Sequence, residues 1–101
     1  MDVKLSEAMS FLEEAVDRME HGHGSKTVEY AKDQLANAFD IIDSLPGVAN
    51  GLKQKARRLR VEIQNWNVNH FDTGNKDFYI SSINNYMDMI RRTFRGKAGS
   101  L

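Results

Sequence analysis

Three short breaks that contain glycine divide this chain into four segments with the same apolar spacing. The breaks are residues 21–24 (HGHG), 45–47 (LPG) and 72–75 (DTGN). In each segment apolar residues recur every three or four positions, which is the period of a helix with one buried face. Short connections make neighbouring helices antiparallel. We therefore predict an all-α protein, an antiparallel up-down-up-down four-helix bundle.

The first two segments have the clearest amphipathic pattern. We predict a first helix from Val3 to His21, and a second helix that is capped by Ser25 or Thr27 and ends near Ser44. The apolar positions that define their buried faces are Leu5, Ala8, Met9, Leu12, Ala15, Val16 and Met19 in the first, and Val28, Ala31, Leu35, Ala38, Phe39, Ile42 and Leu45 in the second.

The third segment admits two interpretations, because residues 64–75 (QNWNVNHFDTGN) alternate polar and apolar like a strand. A strand would need a bulge where the alternation changes phase between Ile63 and Trp66. A helix accommodates the same residues without a bulge. The positions that fall within about 40° of one line on a helical wheel are Leu52, Ala56, Leu59, Ile63, Trp66 and His70. We predict a helix over about 47–71 with His70 on its buried side.

Asparagines at positions 65, 67 and 69 keep the alternative open, since asparagine is a poor helix former. That alternative is a β-hairpin around residues 64–80. A last helix is predicted to begin at a cap provided by Asn75 or Asp77 and to continue to Phe94. We assign residues 1–95 to one helical-bundle domain and expect residues 96–101 to fray.

The composition and the absence of motifs exclude several classes of protein. No cysteine occurs among the 101 residues, which excludes disulfides and zinc–thiolate sites. No signal peptide or membrane span is visible, so we expect a cytoplasmic protein with no membrane partner. No nucleophile is paired with a base, and no cofactor motif is present. We therefore predict a protein that is not an enzyme and has no cofactor.

Charge is divided between the two halves of the chain. Residues 1–50 hold four Lys/Arg and ten Asp/Glu, whereas residues 51–101 hold ten and four. The halves either attract each other, within one bundle or between subunits, or present a basic surface to an anionic partner. The residues that would bind nucleic acid or a small anionic ligand are Arg57, Arg58, Arg60, Arg91, Arg92 and Arg95. The acidic half is the converse alternative, a phage-type inhibitor that mimics nucleic acid.

Two histidines in the first break are weak candidates for a metal site. His21 and His23 flank a glycine, and Asp17 precedes His21 by one helical turn. A divalent metal or, with Lys26, a phosphate could be held by such a loop. The spacing matches no established metal or phosphate motif. We assign no metal to this chain and interpret the break as an exposed turn.

Apolar residues that lie off the predicted buried faces point to protein partners. Val61 and Val68 lie almost opposite the buried line of the third helix, near Arg57 and Gln64. Phe78 and Met89 form a second such patch on the last helix. Apolar and aromatic residues on one side of a surface are typical of contact sites.

The sequence therefore predicts a small non-enzymatic protein-binding module. It would act as an adaptor, inhibitor or regulator by steric masking of a partner, and we expect it to form a homo-oligomer. Small phage-encoded inhibitors are helical chains of similar size, but no shared motif supports more than this likeness of shape.

Overall fold

Four long helices form an antiparallel bundle in the computed structural model, which describes the backbone of residues 3–99 and the side chains of residues 3–93. The elements in chain order are α1 (Val3–His21), α2 (Gly24–Ser44), α3 (Asn50–Gln64), the single turn α4 (Val68–His70) and α5 (Lys76–Gly99). The bundle measures 45 × 21 × 19 Å. The described backbone contains no strand, so the β-hairpin alternative around residues 64–80 is wrong.

Helices α1 and α2 make the closest contact in the bundle. Four alanines, Ala8, Ala15, Ala31 and Ala38, are completely buried between these helices and the rest of the core. Small side chains allow two helix axes to approach closely, so the alanines account for the tight contact. Larger side chains complete the core, and those with the least exposure include Leu12, Leu35, Phe39, Ile42, Ile83, Tyr86 and Ile90.

Helix α2 begins earlier than predicted. It starts at Gly24, whose φ of 83° suits glycine, and its N-cap residue is His23. Ser25 and Thr27 therefore lie inside the helix and the predicted cap is wrong. Thr27 instead donates its hydroxyl to the carbonyl of His23, 2.9 Å away. The end of the helix at Ser44 is as predicted.

Helix α3 spans Asn50–Gln64, so it begins three residues later and ends seven residues earlier than the helix predicted over about 47–71. Asn67 has an extended backbone, and its side-chain oxygen accepts a hydrogen bond of 2.9 Å from the backbone N–H of His70. Asparagine side chains that bond to nearby backbone compete with helix formation, which explains the break. As a result His70 is exposed, contrary to prediction, and Phe71 is buried in its place.

A wide turn over residues 71–75 leads into α5. Gly74 has a φ of 121°, which residues with a side chain rarely adopt, and Thr73 also departs from helical geometry. Helix α5 begins directly after Asn75 and extends to Gly99. The predicted fraying of residues 96–101 stays a prediction, and residues 100 and 101 lie outside the described chain.

Candidate protein-binding surface

Ion pairs join the acidic and basic halves of the chain where their helices meet. Between α2 and α3, Arg60 lies 2.9 Å from Asp40 and Arg57 lies 3.7 Å from Asp43. Between α1 and α5, Arg91 lies 3.6 Å from Glu13. These pairs fit the interpretation that the two halves attract each other inside the bundle.

The same pairs bear on the six arginines proposed to bind an anion. Arg57, Arg60 and Arg91 each have a carboxylate partner from the acidic half. Arg58 and Arg92 are exposed and make no ion pair with any described side chain. The side chain of Arg95 lies outside the described residues. The structure therefore does not gather the five arginines with described side chains into one free cationic patch.

The contact between α3 and α5 is the least close of the four neighbouring helix pairs. Helix α3 carries five cations and one carboxylate, and no ion pair between described side chains crosses to α5. Polar contacts between described side chains of α5 and helix α3 occur at two positions. The Ser82 hydroxyl donates to the carbonyl of Phe78 at 3.1 Å and lies 3.5 Å from a carboxylate oxygen of Glu62. The buried Tyr86 hydroxyl donates to the carbonyl of Leu52 at 3.2 Å.

Two apolar side chains of α5 lie on the same side of the helix as Ser82, one before it and one after it in the sequence. Phe78 lies one turn before Ser82 and is 59% exposed, while Met89 lies two turns after Ser82 and is half-buried against the core. We call the surface formed by Glu62, Phe78, Ser82 and Met89 the α3–α5 seam. Phe78 touches the bundle through an edge-on contact with the ring of Tyr79, at a centroid distance of 6.3 Å.

Cations flank the α3–α5 seam on both sides. Lys55 and Arg58 lie two turns and one turn before Glu62 on the same side of α3, and Arg92 follows Met89 by three residues on α5. None of the three makes an ion pair with a described side chain. The seam is thus an apolar strip with cationic edges.

The structure separates the residues that the sequence had grouped on the third helix. Arg57, Val61 and Gln64 form an exposed strip along α3, which we call the α3 strip, and Val61 is 62% exposed. Val68 does not continue this strip because α3 ends at Gln64. It is half-buried and lines a groove of about 170 Å³ beside Trp66. The prediction of one face that includes Val68 is therefore wrong.

A second groove, of about 240 Å³, lies between α2 and α3 and was not predicted. Lys32 lines both this groove and the groove beside Trp66. The Arg60 guanidinium stacks over the Phe39 ring at 5.7 Å in this region while it pairs with Asp40. The residues that line this groove come from two turns of α2 and one turn of α3. This combination depends on how α2 and α3 are rotated, which no sequence pattern shows.

The histidine-containing break forms a junction with the turn before α5. Asp72 accepts a hydrogen bond of 3.3 Å from the backbone N–H of Gly24, and the Lys76 ammonium donates to the carbonyl of Gly22 at 3.3 Å. His21 lies 3.3 Å from the Asp17 carboxylate, and His23 is exposed. No group of three or more potential ligands suited to a metal occurs in the described part of the chain.

Two tyrosines have shifted pKa values with structural causes. The hydrogen bond of 2.9 Å from the Tyr30 hydroxyl to Glu14 raises the pKa of Tyr30, and Arg18 lies over its ring at 4.7 Å. Burial raises the pKa of Tyr86. Both hydroxyls join neighbouring helices, which is a role in packing.

None of the helices described is long and apolar enough to cross a bilayer. Comparison of the chain with protein-family models, curated proteins and solved structures finds no match.

Proposed function

We propose that this chain is a protein-binding module that catalyses no reaction, and that the α3–α5 seam is its contact surface. The exposed Phe78 ring carries the proposal. Its 59% exposure stands out beside a core in which Phe39, Phe71 and Tyr86 are almost fully buried. An exposed aromatic ring costs free energy in water, and a partner that covers it recovers that free energy.

The arrangement around Phe78 matches the anatomy of protein interfaces. Such interfaces have an apolar centre, enriched in aromatic residues and methionine, and a polar rim. Phe78 and Met89 provide the centre here, while Lys55, Arg58 and Arg92 provide the rim. Binding energy at interfaces is concentrated in a few aromatic and arginine residues. A partner held in this way is masked sterically, which is sufficient for an adaptor or an inhibitor.

Charge bears on whether the partner at this seam is a second copy. A two-fold symmetric dimer through the seam would bring two copies of the same cationic edges, each with Lys55, Arg58 and Arg92, into one interface. Like charges in an interface oppose association. The α3 strip, with Val61 at its centre, is the better surface for a homo-oligomer, and the seam is the better surface for a different protein.

Site-directed photo-crosslinking in a cell lysate tests the proposed contact surface. A photoreactive residue at position 78 should form covalent adducts with another protein. The same residue at Ser10, an exposed position on α1, serves as the control and should form none. A third probe at Val61 reports on the α3 strip. Equal labelling from positions 78 and 10 would refute the seam, and labelling from Val61 alone would move the contact to the α3 strip.

A further inference from the structure

We propose that the segment recognised by the α3–α5 seam is an acidic amphipathic helix of another protein. This inference rests on the proposed function and adds the chemical class of the partner. Two features of the seam carry it, the charge of its edges and the absence of free backbone groups along it.

The edges of the seam favour a segment with negative charge. Arg58 is exposed, Lys55 is half-buried, and neither has a carboxylate partner among the described side chains. Arg92 adds an exposed cation on the α5 side, one turn after Asp88, whose carboxylate pairs with Arg91 at 3.3 Å. The carboxylate within the seam is that of Glu62, which is half-buried and lies 3.5 Å from the Ser82 hydroxyl oxygen. An acidic partner would therefore meet unpaired cations on both sides of the apolar strip.

The walls of the seam favour a helix as the bound form. Both walls are α-helices whose backbone groups bond internally, so no sheet edge is available to an extended peptide. An amphipathic helix binds instead by packing apolar residues at helical spacing against an apolar strip, such as the one that Phe78 and Met89 form. Phe78 and Met89 are eleven residues apart on α5, a distance of about 16 Å. This distance corresponds to about three turns of a bound helix.

Nucleic acid fits the seam less well than an acidic helix does. Its phosphates would use the flanking cations but not the apolar strip between them. Further along the basic helices, Arg57, Arg60 and Arg91 are already paired with Asp43, Asp40 and Glu13. A continuous track for a phosphate backbone is therefore absent from the described surface.

Selection from a random peptide library tests the inference. Peptides of about four helical turns are displayed on phage and selected against the full chain, with counter-selection against the folded variant Phe78→Ser. We expect the enriched peptides to carry Asp or Glu around apolar residues at helical spacing. Circular dichroism should show helix gained on binding. The substitution Phe78→Ala should weaken the binding about 30-fold.

Charge reversal supplies the matched control. Arg58→Glu should weaken the best peptide on the order of tenfold at low ionic strength, because a rim cation becomes a like charge. A peptide with lysine in place of its glutamates should regain affinity for that variant. Lys26→Glu, at an exposed position of α2 with no ion pair to a described side chain, should change the affinity little.

The outcomes separate this inference from the proposed function. Peptides whose binding requires Phe78 but that are not acidic would contradict the inference of an acidic helix. So would peptides whose affinity is unchanged by Arg58→Glu. Both results would leave the seam as a binding surface. A failure to enrich any peptide that depends on Phe78 would overturn both. Binding of single-stranded DNA that depends on Arg58 and not on Phe78 would overturn both in favour of nucleic acid.

Discussion

The indole of Trp66 stacks on the ring of Tyr79, with centroids 4.3 Å apart and planes 11° from parallel. Trp66 lies just after α3 and Tyr79 in the first turn of α5, so the stack fixes the irregular segment between these helices. Phe71 packs near Tyr79 as well, at a centroid distance of 6.2 Å.

Removal of the Tyr79 ring should destabilise the bundle strongly. Tyr79 is 5% exposed and contacts both Trp66 and Phe71. We expect Tyr79→Ala to lower the free energy of unfolding by about 3 kcal/mol, as for other buried aromatic residues. Tyr79→Phe keeps the stacked ring and should remain within about 0.5 kcal/mol of the wild type. Urea denaturation measures both, and equal effects of the two substitutions would contradict a role for the ring.

The bond from Gly24 to Asp72 should act as a helix cap supplied from a distant part of the chain. Asp72 accepts from the first backbone N–H of α2 across 48 residues of sequence. We expect Asp72→Ala to cost about 0.5–1 kcal/mol, the lower part of the range for lost N-caps. Asp72→Asn retains an acceptor oxygen and should cost less. Thermal denaturation followed by circular dichroism distinguishes the two variants, and indistinguishable melting temperatures would show that the oxygen is not needed.

The ion pair between Arg60 and Asp40 should contribute a small stabilisation that depends on salt. The pair is short, at 2.9 Å, but both residues reach the surface. A double-mutant cycle with Arg60→Gln and Asp40→Asn should give a coupling of about 0.2–1 kcal/mol that decreases as ionic strength rises. A coupling that does not change with salt would show that the two side chains interact through packing.

Tyr86 should make the bundle less stable at alkaline pH. Burial raises its pKa in the folded state, so the unfolded chain ionises first, near pH 10. The stabilisation associated with the neutral phenol is complete below about pH 10 and decreases above it. Tyr86→Phe should lower the unfolding free energy near neutral pH by about 1 kcal/mol, because the bond to the Leu52 carbonyl is lost. This difference should shrink or reverse above about pH 10. A constant difference across the pH range would contradict the role of burial.

Aspartate at positions 61 and 68 should have unequal effects, because the two valines lie in different environments. Val61 is 62% exposed, and Val61→Asp should change stability by less than about 0.5 kcal/mol. Val68 lines the groove beside Trp66, and Val68→Asp should cost about 1–3 kcal/mol. Light scattering of Val61→Asp also tests the α3 strip, since an oligomer built through that strip would dissociate. An unfolded Val61→Asp variant would place Val61 in the core.

The sequence was a good guide to regular helices and a poor guide to where local bonds interrupt them. The bounds of α1 and the end of α2 follow from periodicity and the flanking breaks. The helical wheel placed Trp66 and His70 on one face because it assumes that the helix is unbroken. The hydrogen bond from the His70 backbone N–H to the Asn67 side chain accompanies the end of the helix. The spacing of apolar residues cannot predict such a local bond.

The candidate site was predictable only in part. The off-face positions of Val61 and Phe78 follow from spacing, and both are exposed in the structure. The flanking role of Lys55 and Arg58 depends on which helix packs against which. Predicting that arrangement requires knowledge of the tertiary contact between Glu62 and Ser82.

The alanine contact between α1 and α2 also bears on the order in which the bundle assembles. Only Gly22 and His23 separate the two helices, so the contact closes a short loop at low entropic cost. Contacts between neighbouring segments form fast, whereas those between α1 and α5 require most of the chain to be gathered. We expect a hairpin of α1 and α2 to form first and to offer an acidic template onto which the basic helices then collapse.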